Sequence, residues 1–252
     1  TQQLPLVKMT LSGRVALVTG GARRVGQTIA LALARRHANV VISYRTSRVD
    51  ARRTVARLAA CGVRAEAIRA DLTRARDIRR LIAEVRRRFG RLDVLINSAS
   101  VFVRTPFATL TERGWDLHLD TNLKGPFLCA LLASRLMKRR GEGKIINVTD
   151  WAGERPYRDY LPYCVSKAAL TALTKALAKE LAPSIQVIAI APGPILPPPE
   201  MTKAERQRVI QRVPLKRWGD PKDLANAVVF AIEGTDFMTG STIAVDGGQL
   251  IA

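Results

Sequence analysis

The segment 149–167, which reads TDWAGERPYRDYLPYCVSK, has residue types and spacing suited to acid–base chemistry. Of its three tyrosines, only Tyr163 is followed four residues later by a lysine, Lys167. Residues four apart share one face of a helix, so the Lys167 ammonium should favour the Tyr163 phenolate and lower its pKa. The pair predicts a proton-transfer site, and the alternative is ordinary packing of an amphipathic helix.

The carboxylate of Asp150 stands at the end of an apolar run, just before these tyrosines. Close to Tyr163 it would raise the tyrosine pKa and repel the oxyanion that forms when a ketone is reduced. Such a group suits a reaction in which hydride goes to carbon and a proton to the adjacent nitrogen. The alternative is a structural role, as a helix cap or in an ion pair with Arg155 or Arg158.

A glycine-rich turn, TGGARRVG at 19–26, follows the first apolar run and precedes a helical segment. Gly20 permits a tight turn, Gly26 allows the helix to pack closely, and the helix N-terminus offers N–H groups to a pyrophosphate. The middle glycine of the GxGxxG pattern is replaced by arginine, so the pattern is incomplete. The turn predicts a nucleotide site, and the alternative is a plain strand-to-helix turn.

The end of the second predicted strand, SYRTS at 43–47, has no acidic residue. An acid there would bind the ribose 2′-hydroxyl and reject a 2′-phosphate. Arg45, Ser47 and Arg24 could instead hold a 2′-phosphate, because arginine binds phosphate with two parallel hydrogen bonds. This predicts NADPH over NADH, unless Arg45 is simply solvated.

The elements that must position these residues alternate regularly along the chain. Apolar runs rich in β-branched residues alternate with amphipathic helices, which predicts an α/β fold with a doubly wound, seven-stranded parallel sheet covered by helices on both faces. Ligands bind beyond the carboxyl ends of such strands, where the candidate residues lie. The predicted strands are 14–20, 39–44, 63–72, 92–99, 144–150, 185–193 and 241–248, and the longest predicted helices are 111–139 and 160–181.

No linker divides the 252 residues, so we expect one catalytic domain over 11–252, a flexible leader at 1–10 and a Pro-containing substrate loop at about 193–216. Three scattered cysteines and two histidines argue against a disulfide framework or a metal site and favour a reducing, cytoplasmic setting. The leader is too polar for a membrane span.

The net charge is +20, with 31 arginines. A polyanionic partner is one interpretation, but no nucleic-acid-binding motif accompanies the charge, which favours a solvated basic surface.

Several motifs occur in an order that resembles the short-chain dehydrogenase/reductase family along nearly the whole chain. They are TGGARRVG, DL at 71–72, NSAS at 97–100, DTNLKGPF around Asn122, YCVSK at 163–167, APG at 191–193 and PLKRWGDPKDLA…MTGSTIAVDGG. The resemblance implies a Rossmann-type fold, a nicotinamide cofactor and a homotetramer. Of the family's Asn, Ser, Tyr and Lys, Asn122, Tyr163 and Lys167 match, whereas Asp150 stands at the Ser position.

Three departures from the common pattern resemble the pteridine reductase branch of the family. They are Arg24 in the turn, the AS of NSAS and Asp150. That branch stacks a pterin between the nicotinamide and a phenylalanine, which falls at Phe102, and PGPILPPPEM resembles its substrate loop. The resemblance therefore predicts an NADPH-dependent reductase of dihydropterin, pterin or dihydrofolate. The alternatives are a 3-oxoacyl-type carbonyl reductase and a non-catalytic NADP(H)-binding regulator.

The predicted site combines these motifs with the family resemblance. The predicted catalytic residues are Asp150, Tyr163, Lys167 and Asn122, the last implied to hold a water that feeds a proton relay. The predicted cofactor contacts are Gly20, Arg23, Arg24, Val25, Gly26, Tyr44, Arg45, Thr46, Ser47, Asp71, Leu72, Asn97, Ser98, Ala99, Lys167, Pro192 and Gly193. The predicted substrate contacts are Arg24, Ser100, Phe102, Asp150, Tyr163, Gly193 and Pro194. No metal is expected.

Overall fold

A computed structural model describes residues 9–198 and 201–252. In this part of the chain the strands form one parallel sheet in the order β3-β2-β1-β4-β5-β6-β7. The predicted α/β fold with seven parallel strands is confirmed. The strands are β1 (Val15–Val18), β2 (Asn39–Tyr44), β3 (Ala65–Arg69), β4 (Val94–Asn97), β5 (Gly143–Val148), β6 (Ile185–Pro192) and β7 (Thr242–Val245).

Helices cover both faces of the sheet, because successive strand residues point to opposite sides. Ala16 and Val18 pack in a core with α1, α2 and α8, whereas Val15 and Leu17 pack in a second core with α3, α5 and α6. The helices are α1 (Arg24–Ala34), α2 (Arg48–Ala59), α3 (Ala75–Phe89), α4 (Glu112–Leu119), α5 (Gly125–Lys138), α6 (Leu161–Leu181), α7 (Lys203–Arg212) and α8 (Pro221–Glu233).

The long helix predicted at 111–139 is interrupted by a π-helical turn, Asp120–Lys124, between α4 and α5. Thr111 caps the start of α4 by accepting a hydrogen bond from the backbone N–H of Gly114. Single π turns inside α-helices are frequent at functional sites. This one carries Asn122, whose side chain is fully buried.

The order of strands reverses at β1, which lies between β2 and β4. A crevice therefore opens at the carboxyl ends of these strands, where the two halves of the sheet diverge. Met9 is only 3% exposed and belongs to the core, so the chain is packed from the first residue that the structure describes. The rest of the predicted leader, residues 1–8, lies outside the described residues.

None of the helices in residues 9–198 and 201–252 is both long and apolar enough to cross a membrane. The same residues contain no group of three or more His, Cys, Asp or Glu side chains placed to hold a metal ion.

Candidate active site

A large pocket of about 1080 Å³ opens at the carboxyl edge of the sheet. Residues that follow β1, β2, β4, β5 and β6 line it, so the topology brings together segments that are distant in sequence. It is lined by every predicted site residue except Asn97 and Asn122. Its size suits a dinucleotide together with a small substrate.

The turn after β1 is held close to the end of β4. The hydroxyl of Thr19 accepts hydrogen bonds from the backbone N–H groups of Ser98 (3.0 Å) and Ala99 (3.1 Å). Gly20 has φ +65°, and a Cβ added there would lie 2.8 Å from the Ala99 Cα. A side chain at Gly20 would therefore push these two strand ends apart.

The N-terminus of α1 faces this pocket without a neutralising group. Its cap residue, Arg23, makes no side-chain capping bond, and the first turn holds no acidic residue. At Gly26 an added Cβ would come within 2.5 Å of the Gly20 carbonyl oxygen, so only glycine allows the helix and the turn to pack this closely. The free N–H groups and the positive end of the helix dipole are suited to a phosphate.

Arg24 has a left-handed backbone, with φ 54°, although it carries a full side chain. This conformation favours glycine and is uncommon for other residues, so a side-chain function is expected to compensate for the strain. Its guanidinium donates a hydrogen bond to the Leu196 carbonyl at 3.4 Å. Arg24 thus links the phosphate turn to the predicted substrate loop.

The ends of β2 and β3 supply the far wall of the pocket. The Arg45 side chain is exposed, and among the described residues it contacts no carboxylate. Asp71 also lines the pocket, but one of its oxygens accepts hydrogen bonds from the backbone N–H and the hydroxyl of Thr73. The Arg45 guanidinium is therefore available to a ligand, whereas the Asp71 carboxylate mainly stabilises the turn that contains it.

Asn97 does not reach the pocket. It is 2% exposed, and its amide donates a hydrogen bond to the Asn147 side chain on β5 at 2.9 Å. Asn147 in turn donates to the Thr174 hydroxyl on α6 at 2.9 Å. The side chain of Asn97 therefore lies in the interior, where it joins β4, β5 and α6, and the predicted cofactor contact of this residue stays a prediction.

Asn122 lies behind the pocket and connects two of its walls. Its side-chain oxygen accepts hydrogen bonds from the Val101 N–H (2.8 Å) and the Ser100 hydroxyl (3.2 Å). Its amide donates to the Val101 carbonyl and to the Ser166 hydroxyl, each at 3.0 Å. These contacts assign Asn122 a positioning role between the β4 loop and α6, and the implied water relay stays a prediction.

The side chains of Asp150 and Tyr163 meet in the pocket. The Tyr163 hydroxyl donates a hydrogen bond to Oδ2 of Asp150 at 2.6 Å. The other carboxyl oxygen, Oδ1, accepts from the Ala152 N–H at 2.8 Å and caps the 3-10 turn Trp151–Gly153. Asp150 therefore makes the predicted contact with Tyr163 and also has the alternative capping role, whereas among the described residues neither Arg155 nor Arg158 forms an ion pair with it.

Burial dominates the titration of this pair. It raises the pKa of Asp150, although hydrogen bonds from Tyr163 and Ala152 and the charge of Lys167 act in the opposite direction. Burial and the nearby Asp150 carboxylate hold the pKa of Tyr163 well above its usual value. The predicted lowering of the Tyr163 pKa is therefore wrong, because desolvation of the phenolate outweighs the attraction of the lysine.

Lys167 is almost completely buried below Tyr163 on α6. Its ammonium donates a hydrogen bond to the Val148 carbonyl at 2.8 Å and lies 5.7 Å from the centre of the Tyr163 ring. Burial lowers the pKa of Lys167 to about 8, opposed by the negative charge of Asp150. The ammonium group is therefore hydrogen-bonded to the backbone and lies close enough to Tyr163 for its charge to influence the ring.

An aromatic cluster surrounds Tyr163. Phe102 stacks on Tyr160 with ring centres 4.4 Å apart, and its edge-to-face contact with Tyr163 measures 4.7 Å. Tyr157 makes edge-to-face contacts with Tyr160 (6.0 Å) and Trp151 (5.2 Å). Sequence reasoning set Tyr157 and Tyr160 aside because they lack a lysine partner, but both line the pocket.

Other lining residues were missed because they come from distant segments. Arg212 from the end of α7, Trp218 and Gln249 border the same pocket. The Pro-rich run in the sequence indicated the loop before α7. No spacing in the sequence indicates that Gln249 returns to the site.

Known proteins resemble this chain along almost its whole length. Residues 20–249 match the family model described as enoyl-(acyl carrier protein) reductase. The 3-oxoacyl-(acyl-carrier-protein) reductase FabG of Staphylococcus epidermidis is 38% identical over 240 residues, which cover 93% of this chain and 98% of that protein. The FabG of Staphylococcus aureus is 39% identical over 249 residues, covering 96% and 99%. A variant of actinorhodin polyketide ketoreductase, solved with NADPH, has a TM-score of 0.89 at 30% identity and covers 96% of this chain and 99% of its own.

The predicted pteridine reductase function is wrong by these comparisons, because relatives matching the whole chain are named as 3-oxoacyl reductases. The prediction depended on few positions: Arg24, the AS of NSAS, Asp150 and Phe102. Tyr160 already covers one face of the Phe102 ring. Burial raises the pKa of Asp150, which weakens the charge argument against a ketone, because a carboxyl group that keeps its proton can donate a hydrogen bond as a serine does.

Proposed function

The chain belongs to the short-chain dehydrogenase/reductase family, and we propose that it is an NADPH-dependent reductase of 3-oxoacyl-type ketones, producing the 3-hydroxy compound. The observation that carries this proposal is the contact of Tyr163 with Asp150 in a pocket that also contains the phosphate turn. The names of whole-length relatives support the substrate class.

The residues present fit a nicotinamide dinucleotide phosphate. The uncapped N-terminus of α1 and the close approach at Gly20 suit the pyrophosphate. Arg45 and Ser47, with Arg24 across the turn, would hold the 2′-phosphate, since the one carboxylate of that wall, Asp71, is hydrogen-bonded within its own turn. When bound, NADPH supplies the hydride that ketone reduction requires.

The proton comes from the chain's own residues. When Asp150 is neutral, its carboxyl group donates to the Tyr163 oxygen, and the tyrosine proton is free to point at the substrate oxygen. Reduction then moves the Tyr163 proton to the new alkoxide and the Asp150 proton to the tyrosine. When Asp150 is charged, the Tyr163 proton is held by the carboxylate at 2.6 Å, and the ketone lacks its donor.

Neutral Asp150 therefore replaces the hydrogen-bond donor that serine provides at this position in the family pattern. Lys167 stabilises any negative charge that develops on Tyr163 during the transfer. Phe102 and Tyr157 give the substrate an apolar wall that excludes water near the reacting carbonyl.

We propose that the chain assembles as a homotetramer through two apolar surfaces. One lies on α5 and α6, where Phe127, Leu131 and Leu161 are 38–41% exposed. The other includes Phe230 of α8, 54% exposed, beside the edge strand β7. Exposed apolar patches of this kind mark association surfaces. Light scattering should give the mass of four chains, and a monomer would contradict this assembly.

The proposed activity is tested by mixing the protein with NADPH and an acetoacetyl thioester. We expect NADPH consumption matched by an equal amount of 3-hydroxybutyryl thioester. Tight NADPH binding with no turnover of any carbonyl compound would favour a non-catalytic regulator.

A further inference from the structure

A second concave site lies between α3 and α5 and shares no lining residue with the active-site pocket. It is a groove of about 300 Å³. Its floor is apolar, formed by Ile82 and Ala83 of α3 and by Leu132 and Leu136 of α5. Ile82 belongs to the core, whereas Ala83 is exposed and can be changed without entering the core.

Four arginines, here called the groove arginines, line the same groove: Arg79, Arg86, Arg135 and Arg139. Arg79 and Arg86 are two helical turns apart on α3, whereas Arg135 lies in the last turns of α5 and Arg139 is the C-cap residue of that helix. Helical periodicity therefore directs each pair to one side of its helix, and the two pairs face each other across the floor.

The groove arginines differ from their neighbours in lacking partners. Among the described residues none of the four forms an ion pair or a side-chain hydrogen bond. The adjacent Arg87 and Arg88 both contact Glu84 at 2.8 Å, and Arg80 contacts Asp77 at 3.1 Å. The available carboxylates of α3 thus neutralise arginines outside the groove and leave the charge inside it uncompensated.

The size of the groove decides which class of ligand it suits. A volume of about 300 Å³ is at the lower end for a small-molecule site. A stable protein partner needs an interface of about 1,000 Å² or more, which this groove does not provide by itself. An apolar floor between guanidinium groups matches a molecule that has both an aliphatic part and an anionic end.

We propose that the α3–α5 groove binds a small anionic amphiphile, with its alkyl chain on the Ile82–Leu136 floor and its phosphate or carboxylate held by the groove arginines. This site is separate from the active site and does not depend on the proposed reaction. Because α5 continues from the π turn that carries Asn122, the ligand contacts a helix that also supports the active site.

The experiment titrates dodecyl phosphate, below its micellar concentration, into the full chain by calorimetry. The double variant Arg79→Gln/Arg135→Gln should weaken binding by about tenfold or more, since both sides of the groove lose a guanidinium. The matched control is Arg52→Gln/Arg53→Gln on α2, which removes the same net charge from exposed positions outside the groove. The control should bind as the wild type does.

Two further measurements distinguish the contribution of the ligand's anionic head group from that of its alkyl chain. Inorganic phosphate should bind much more weakly than dodecyl phosphate, and dodecyltrimethylammonium should not bind. Ala83→Leu, which fills the floor while keeping every charge, should abolish the advantage of the alkyl chain.

Unchanged binding in Arg79→Gln/Arg135→Gln would overturn the proposal, because the ligand would then lie elsewhere. Equal losses in the α2 control would overturn it as well, since they would show attraction to net charge alone. Binding to vesicles of anionic phospholipid without binding of the monomeric alkyl phosphate would also contradict it, as this would indicate a membrane surface as the partner.

Discussion

The Tyr163 hydroxyl donates a hydrogen bond to Oδ2 of Asp150 at 2.6 Å, so the tyrosine that we propose as the proton donor is itself bound to a carboxyl group. Burial raises the pKa of both groups, and Asp150 stands where the family pattern has a serine. The direction of this one hydrogen bond determines whether a carbonyl substrate finds a proton donor.

The first prediction concerns the pH dependence of reduction. The proposed mechanism needs Asp150 in its neutral form, so kcat/KM should fall as the pH rises through the raised pKa of Asp150. A second fall is expected near pH 8, where Lys167 loses its charge. Asp150→Ser and Asp150→Asn keep a neutral donor and should remove the first fall while leaving the second.

Asp150→Ala serves as the matched control for this series, because it removes the donor entirely. It should lower kcat by about a hundredfold or more at every pH. If serine and asparagine were as damaging as alanine, the carboxylate itself would be required and the neutral-acid mechanism would be wrong.

The second prediction separates stability from activity at Lys167. The pKa of Lys167 in the folded protein is lowered from 10.5 to about 8, so the charged lysine destabilises the fold. The full cost applies below pH 8, and it decreases to nothing as the pH rises from 8 to 10.5. Such a shift corresponds to about 3 kcal/mol, part of which is offset by the hydrogen bond to Val148.

Lys167→Met should therefore increase the free energy of unfolding at pH 7 by about 1–2 kcal/mol while nearly abolishing reduction. Urea denaturation at pH 7 and pH 10 measures this, and the gain should shrink at the higher pH. A variant less stable than the wild type at pH 7 would show that the lysine contributes to packing more than burial costs.

The third prediction concerns the choice of nucleotide. Arg45→Asp places a negative charge at the wall assigned to the 2′-phosphate. The value of kcat/KM with NADPH should therefore fall, and the ratio of kcat/KM with NADH to kcat/KM with NADPH should rise. Arg53→Asp, an exposed change on α2 outside the pocket, makes the same change in charge and should leave the ratio unchanged. A wild-type preference for NADH would contradict the assignment.

Sequence patterns located the strands well, because a buried parallel strand needs a continuous apolar run and little else. The strand predicted at 39–44 coincides with β2, and most predicted site residues follow strand ends that meet at the pocket. The π turn at Asn122 was not predicted, since helical periodicity continues through it.

Features that depend on three-dimensional partners were beyond reach of the sequence. Asn97 lies at the end of a strand, as the other predicted site residues do. Its partner Asn147 comes from another strand, however, and holds the Asn97 side chain in the interior. The pKa of Tyr163 depends on how deeply the ring is buried, which the lysine four residues away does not indicate. Burial also raises the pKa of Asp150, and the residue type alone does not indicate that shift.

The measurement that tests the account most directly compares kcat/KM for an acetoacetyl thioester and for dihydrobiopterin, with NADPH under matched conditions. We predict turnover of the thioester to the 3-hydroxy product, with little reduction of the pterin. Tyr163→Phe should lower thioester turnover by about a hundredfold or more while NADPH still binds. Efficient reduction of dihydrobiopterin without turnover of the thioester would contradict the proposed function.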